Sequence, residues 1–457
     1  MQRAGEQMSG AGPTARLSEA VPRYTSYPTA PHFHAGVTGE TFKSWLEAIG
    51  EGEDISLYVH IPFCDRLCWF CACHTKMTRR YEPVATFLDA LLCEIATVGR
   101  LAGQRGRVRA LHFGGGSPTM LKPDDVARLG AALRAAFDFA DNAEISVELD
   151  PNDMDEPRFA AFAALGMTRA SLGVQDFDPL VQKAINREQT FEQTRAVVDG
   201  VRARGVASVN LDLLYGLPHQ TVASVGETIR RALTLAPDRI ALFGYAHVPW
   251  FKKHQTMIDE AWLPGPQERY AQQRETARII EAAGYQPIGL DHFAKPGDPL
   301  ALAAREHRLF RNFQGYTEDS CRTLIGLGPS SVSRLPQGYA QNSPATGPYE
   351  RVVGDGGLAT ARGIELDDED RARAWVIERL MCDFAFSGPE AVRLFGAHGA
   401  RIVAEARDPR RNAGGQALLE ENGTFVVPEG ERPLVRSTAA RFDRYLARGG
   451  ERHSAAV

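Results

Sequence analysis

From Ile55 onward the chain alternates short runs of β-branched and other apolar residues with longer stretches whose apolar positions recur every three or four residues. That alternation marks βα units with a buried parallel sheet. Six runs recur steadily, at 56–61, 109–114, 144–149, 169–174, 209–214 and 239–246, with 286–293 as a weaker seventh. Amphipathic helices fill the intervals, for example over 86–100 and 221–235. Polar residues stand at nearly every strand's C-terminal end. The expected fold is therefore α/β, a partial (β/α) barrel of about six parallel strands rather than an open doubly wound sheet.

After about residue 300 the period weakens into Gly-rich loops, and 338–362 reads as a linker. Residues 363–457 carry helical patterns, as in 371–384, and a short strand at 425–427, which predicts a mostly helical C-terminal domain. At the other end, 1–20 is small, polar and without period, so it reads as a mobile tail. The N-terminal extension 21–54 opens with two aromatics and a proline within Arg23–Pro28. The barrel is then expected over 55–337.

Composition narrows the function. In 457 residues, 52 Lys+Arg stand against 57 Asp+Glu, a net charge of −5 that argues against a nucleic-acid binder. The first thirty residues carry no basic segment followed by an apolar run, and nothing approaches the ~18 apolar residues of a membrane span. A cytoplasmic protein is expected. Four of seven cysteines crowd into 64–73, which points to metal rather than a disulfide framework.

In HIPFCDRLCWFCACHTK, Cys64, Cys68 and Cys71 form a C-x3-C-x2-C loop directly after the first strand, at the mouth of the expected barrel. Thiolates favour iron–sulfur irons. Three of them hold three irons of a [4Fe–4S] cube and leave one open for S-adenosylmethionine (SAM), whose C–S cleavage gives a 5′-deoxyadenosyl radical. A structural zinc site would want a second ligand pair at a distance, and the sequence has none. Cys73 as a fourth ligand would close the open iron, so it reads as a free thiol beside the site. His74 reads as solvent-facing or hydrogen-bonded. Cys93, Cys321 and Cys382 read as ordinary buried cysteines.

The rest of the mouth is less specific. Gly114, Gly115 and Gly116 follow the second strand, where open backbone groups would meet the amino-acid end of SAM, though a simple turn explains them too. Glu148, Asp150, Gln175, Asp176 and Asp212 lie at or near the following strand ends and suit ribose hydroxyls, or else cap helices. Glu148 and Asp212 sit inside apolar runs, where capping explains them poorly.

These motifs converge. The segments RYTSYPTAPHF (23–33), YVHIPFCDRLCWFCAC (58–73), HFGGGSPT (112–119), ISVELDP (145–151), SLGVQDF (171–177), NREQ (186–189), NLDLLYGLPHQT (210–221), GYAHVPW (244–250), DHFA (291–294) and NFQGYT (312–317) closely resemble the oxygen-independent coproporphyrinogen III oxidases of the radical SAM superfamily. Relatives that act as haem chaperones share the barrel motifs but are usually shorter at the N-terminus and carry an aromatic where this chain has Cys73. The RYTSYPTA segment and Cys73 favour the oxidase, and Cys73 becomes the candidate catalytic thiol. Ser117 departs from a usual Thr, and His74 from a usual Asn.

The resemblance implies two SAM molecules. Tyr58, Gly115, Glu148 and Val332 would contact the first. Gly116, Ser117, Gln175, Arg187, Asp212 and Ala246 would contact the second, with Phe313 and Gln314 approaching it. Phe70 would shield the cluster, stack on adenine or pack in the core. The implied reaction turns two propionates of coproporphyrinogen III into vinyl groups, fed by an electron donor protein such as flavodoxin or ferredoxin, in a monomer. A tetra-anionic substrate wants basic partners, for which Arg23, Lys252, Lys253, Lys295 and Arg311 are candidates, with Tyr24 adding aromatic surface. The N-terminal segment is expected to close over the mouth and exclude water.

Overall fold

The computed structural model of the chain describes residues 21–408 and 418–446. The tail expected over 1–20 lies outside them. The strands in chain order begin with β1 (Asp54–Ile61), the two-residue β2 (Phe63–Cys64) and β3 (Lys76–Met77), β4 (Arg107–Gly115), β5 (Asp138–Leu149) and β6 (Arg169–Gln175). There follow β7 (Ser208–Tyr215), β8 (Arg239–Gly244), β9 (Gln286–Ile288), β10 (His292–Ala294), β11 (Phe310–Asn312) and β12 (Gly315–Thr317). The remainder are β13 (Thr323–Leu327), β14 (Val332–Leu335), β15 (Gly338–Asn342), β16 (Thr360–Glu365), β17 (Ala385–Ser387), β18 (Leu419–Glu421) and β19 (Thr424–Val426).

One 12-stranded sheet runs in the order β16-β15-β14-β13-β1-β4-β5-β6-β7-β8-β10-β9. Every pairing from β13 through β8 is parallel. In β1, Ile55, Leu57, Val59 and Ile61 are buried against the outer helices, while Tyr58 and His60 alternate to the inner face. The outer helices carry the stop and start signals of the sequence. The helix Glu82–Ala102 ends on Gly103 at φ +67°, and the helices Phe191–Arg202 and Val222–Thr234 begin with capping boxes at Thr190 and Thr221. The main core lies between sheet and helices, with Phe87, Leu88, Leu91 and Ile95 facing Ile55, Leu57 and Val59.

Three expectations change. The weak seventh strand over 286–293 is two short strands, β9 and β10, antiparallel to β8. Pro287 has no amide to donate, which confines β9 to the sheet edge, and Gly289 at φ +56° turns the chain where the Tyr316 ring leaves no room for a Cβ. The seventh parallel strand is instead β13, whose five residues sit among Gly-rich loops too short to show a period. Residues 338–362 are no linker: they hold β15, the helix Thr346–Gly354 and the start of β16, which extend the sheet beyond β14. The edge β16 also takes His34 of the N-terminal segment as an antiparallel bridge to Gly363.

The C-terminal part packs the helices Asp368–Asp383, Gly388–Arg407 and Val435–Ala440 with the small sheet β17-β19-β18. Its own core takes in Val21, Tyr24 and Tyr27 from the N-terminal segment. The segment from Val21 is thereby joined to the C-terminal part beside the barrel.

Candidate active site

The cysteine loop is held from all sides. β2 and β3 close its neck, with the Lys76 amide donating to Pro62 O at 2.7 Å and the Thr78 amide to Cys64 O at 2.9 Å. Inside the loop, Trp69 N donates to Ile185 O, Asn186 Nδ2 to Leu67 O, Gln255 Nε2 to Phe70 O and Lys252 Nζ to Cys73 O, each at 2.8–2.9 Å. His254 Nε2 reaches Cys71 O at 2.7 Å. A loop pinned at Cys64, Leu67, Phe70, Cys71 and Cys73 in this way presents its thiols at fixed positions.

The spacing of those thiols tests what they hold. A tetrahedral zinc with bonds of about 2.3 Å brings its sulfurs within about 3.8 Å of one another. The sulfurs of Cys64, Cys68 and Cys71 do not all fall within even 4.8 Å of one another. They are too widely spread for one tetrahedral ion, and a cluster of several irons is the kind of group that three separated thiolates hold. Burial raises the thiols of Cys64 and Cys68, the latter opposed by Arg187. The hydrogen bond from Cys73 lowers Cys71 and raises Cys73 in return. Cys73 thus adjoins the trio without completing it.

On the inner face of β1, the Tyr58 hydroxyl meets His60 Nδ1 at 3.0 Å, and His60 Nε2 meets the His74 carbonyl at 2.9 Å. Burial lowers the His60 pKa to about 4, so the ring is neutral, donating to the carbonyl and accepting from Tyr58. This clip between strand and cluster loop escaped the sequence reading, although the period-2 alternation of β1 puts Tyr58 and His60 on one face. Tyr58 stacks on His112 with ring centroids 5.8 Å apart, and His112 Nε2 lies 3.1 Å from Glu148.

The glycines act by closeness rather than by open amides. Gly115 N donates to Glu148, Gly116 N to Ile61 O and Ser117 N to Phe63 O, so these three N–H groups are spent on the protein itself. A Cβ on Gly115, at φ +108°, would fall 2.5 Å from the His60 ring, and one on Gly116 would fall 2.4 Å from Phe63 O. The Ser117 hydroxyl is likewise engaged, with Thr119 at 2.5 Å and Asp153 at 3.1 Å.

Arg187 joins two strand ends to the cysteines. Nη1 reaches Asp150 at 3.2 Å and the Cys68 sulfur at 3.6 Å, and Nη2 donates to Gly173 O at 2.6 Å. Burial opposes its charge, but Asp150 and Cys68 outweigh that and raise its pKa. Gln175 ends β6 at φ +67°. Asp212 accepts from Asn210 Nδ2 at 2.7 Å and Ser171 Oγ at 3.1 Å, and burial with Glu148 nearby pushes it up to about 6. The Ala246 carbonyl shares Gln255 Nε2 with Phe70 O. Phe70 packs with Trp69 against the Leu217 and Tyr245 cluster. Val332 lies on β14, against the partner strand of β1, and Phe313 meets Tyr339, which packs with Val332. Gln314 is exposed in the β11–β12 turn.

The substrate candidates scatter. Arg23 Nη2 donates to Gly244 O at 3.2 Å at the end of β8, and Arg311 lies beside it. Lys252 serves the cysteine loop. Lys295 is tied to Asp238 and Ala236 O where β8 begins, at the opposite end of the sheet from the cysteines. Tyr24 is 4 % exposed, packed in the C-terminal core and bonded to Asp443. Neither Lys295 nor Tyr24 faces the mouth. Cys93 is exposed, whereas Cys321 and Cys382 are buried.

A parallel α/β sheet with three spread thiols at its C-terminal mouth defines a radical SAM protein, and the sequence pattern of the Radical SAM superfamily matches residues 58–232. The oxygen-independent coproporphyrinogen III oxidase of Bradyrhizobium diazoefficiens is 47% identical over 96% of this chain and 98% of its own length. That of Paracoccus denitrificans is 47% identical over 99% and 100%. The solved structure of coproporphyrinogen III oxidase from Escherichia coli, described as a radical SAM enzyme, superimposes with a TM-score of 0.88 at 38% identity, covering 94% of this chain and all of that one. The chain belongs to the oxygen-independent coproporphyrinogen III oxidase family.

Proposed function

We propose that this protein converts coproporphyrinogen III to protoporphyrinogen IX without oxygen, each of two propionates losing carbon dioxide, a hydrogen atom and an electron to become a vinyl group. The observation that carries this reading is the three-thiol mouth within an end-to-end family match. When bound, the [4Fe–4S] cluster and SAM supply one-electron cleavage of the sulfonium and hence a 5′-deoxyadenosyl radical.

Cys64, Cys68 and Cys71 would hold the cluster. Around it, Tyr58, Gly115, Glu148 and Val332 would hold the first SAM, and Gly116, Ser117, Gln175, Arg187, Asp212, Ala246 and Gln314 a second. The pinned loop and the neutral His60 clip support this by fixing the thiols relative to β1, so little reorganisation accompanies binding. The Cys73 thiol, hydrogen-bonded to Cys71, would stand beside the cluster as the candidate catalytic thiol. Residues 21–54 close one side of that mouth, a role supported by the reach of Arg23 to β8. The electron comes from a donor protein such as flavodoxin or ferredoxin. The protein acts as a monomer, and seven free cysteines suit the reducing cytoplasm. No helix among the described residues is long and apolar enough to cross a membrane.

The test is anaerobic turnover of reconstituted protein, with products identified by mass spectrometry. Wild type should form protoporphyrinogen IX and Cys64→Ala none, with iron content reduced. Stable haem binding without decarboxylation would overturn the reading.

A further inference from the structure

The β8 side of the mouth carries positive charge that neither the cysteines nor the SAM-site residues use. Four arginines from four separate segments converge there: Arg23 from the N-terminal stretch, Arg269 from the helix Pro266–Ala282, Arg311 from β11 and Arg436 from the helix Val435–Ala440. Arg23 donates to Gly244 O. Arg269 Nη2 donates to Tyr245 O at 2.8 Å, and its guanidinium fills the space a Cβ would need at Gly216. Arg311 lies 4.4 Å over the Tyr316 ring and turns one nitrogen toward the Arg23 carbonyl at 3.5 Å. Arg436 donates to the carbonyls of Val21 and Pro22, next to Arg23.

Among the described residues, one carboxylate lies near several of these arginines. Asp291 faces the group, and it is shared with His292 at 2.8 Å. Glu378 takes the backbone amide of Arg311 rather than its guanidinium. Arg311 is 8 % exposed, yet its Nε and Nη1 have no hydrogen-bond partner among the described residues. Burial, and then repulsion from Arg23 and Arg311, lowers Arg436 to about 9, and desolvation also lowers Arg23, whose side chain keeps some exposed surface. Desolvated like charges destabilise a fold, and an anion that accepts their forked N–H groups reverses the sign.

The cluster is also in the right place. Gly244 is two residues from Ala246, whose carbonyl shares Gln255 with the cysteine loop. We propose that Arg23, Arg269, Arg311 and Arg436 form a carboxylate site that binds a propionate of the substrate and sets how the macrocycle lies over the mouth. This rests on the substrate class proposed above. It also gives the N-terminal segment and the C-terminal part a task, since each contributes an arginine to the site. The amino-acid carboxylate of a second SAM shares this chemistry, so the test separates the two.

Reconstituted enzyme is titrated anaerobically with coproporphyrin III, followed by fluorescence, with its uncharged tetraamide as control and SAM affinity measured in parallel. Arg311→Gln and Arg269→Gln should each raise the dissociation constant for the tetra-acid about 10- to 100-fold, since each removes a charged hydrogen bond. Tetraamide binding, iron content and SAM affinity should stay at wild-type values, and KM for coproporphyrinogen III should rise more than kcat falls. Arg311→Lys should recover part of the loss. Equal effects on acid and amide, or none on either, would overturn the proposal. Loss of SAM affinity with intact porphyrin binding would assign the site to SAM and overturn it as well. Wild type that binds the tetra-acid through these arginines but forms no vinyl product would leave the site standing and refute the proposed reaction.

Discussion

Asp212→Asn should make the protein more stable while impairing it. The carboxyl lies inside the barrel near Glu148, held by Asn210 and Ser171, and its pKa stands at about 6 against 3.8 for an ordinary aspartate. Because the folded pKa is raised, the folded state binds more protons than the unfolded one between those two values, and stability falls as pH rises through that window. A shift of about 2 units corresponds to about 3 kcal/mol once the group is fully ionised at pH 8, and to about half that at pH 5. Asparagine keeps the shape and both hydrogen bonds, since Ser171 can accept as well as donate, and it carries no charge to desolvate. Urea midpoints of wild type and variant at pH 5, 6, 7 and 8 should diverge steadily in favour of the variant. SAM cleavage should fall if this carboxylate serves a ribose. A gap that does not widen with pH, or a less stable variant, would refute the argument that burial of this charge strains the mouth.

Two further changes test the framework. Gly115→Ala forces a Cβ onto the His60 ring at a positive φ and should lower stability by about 2–4 kcal/mol, with reduced iron content on reconstitution; an unchanged melting temperature would contradict the close packing. Glu94 is 2 % exposed and accepts from Tyr349, Asn342 and the Gly328 amide at 2.6–2.7 Å, so Glu94→Ala should lose about 3–5 kcal/mol in urea denaturation. A loss below about 1 kcal/mol would show that the buried group does not tie its helix to the loop after β13.

The reaction class was legible in the local sequence because three thiols within eight residues need little else to be brought together. The six main strands were legible for a similar reason. Parallel strands covered on both faces leave long apolar runs, as in β1 and β7, and their ends mark the mouth without knowledge of the pairing. Glu148 and Asp212 stood out as charges inside those runs, and both face the barrel interior.

What the sequence left open depends on distance along the chain. β13 is five residues long and becomes a central strand only by pairing with β1, some 270 residues earlier. The segment 338–362 looked like a linker because short strands among glycines carry no period, yet pairing and the His34 bridge order it. Lys295 and Tyr24 were plausible by charge and ring alone, and packing turns one to the wrong end of the sheet and the other into a separate core. Arg269 and Arg436 gave no signal, because an arginine on a helix is ordinarily solvated. Only the fold gathers them with Arg23 and Arg311, since repulsion between charges is a property of proximity in space.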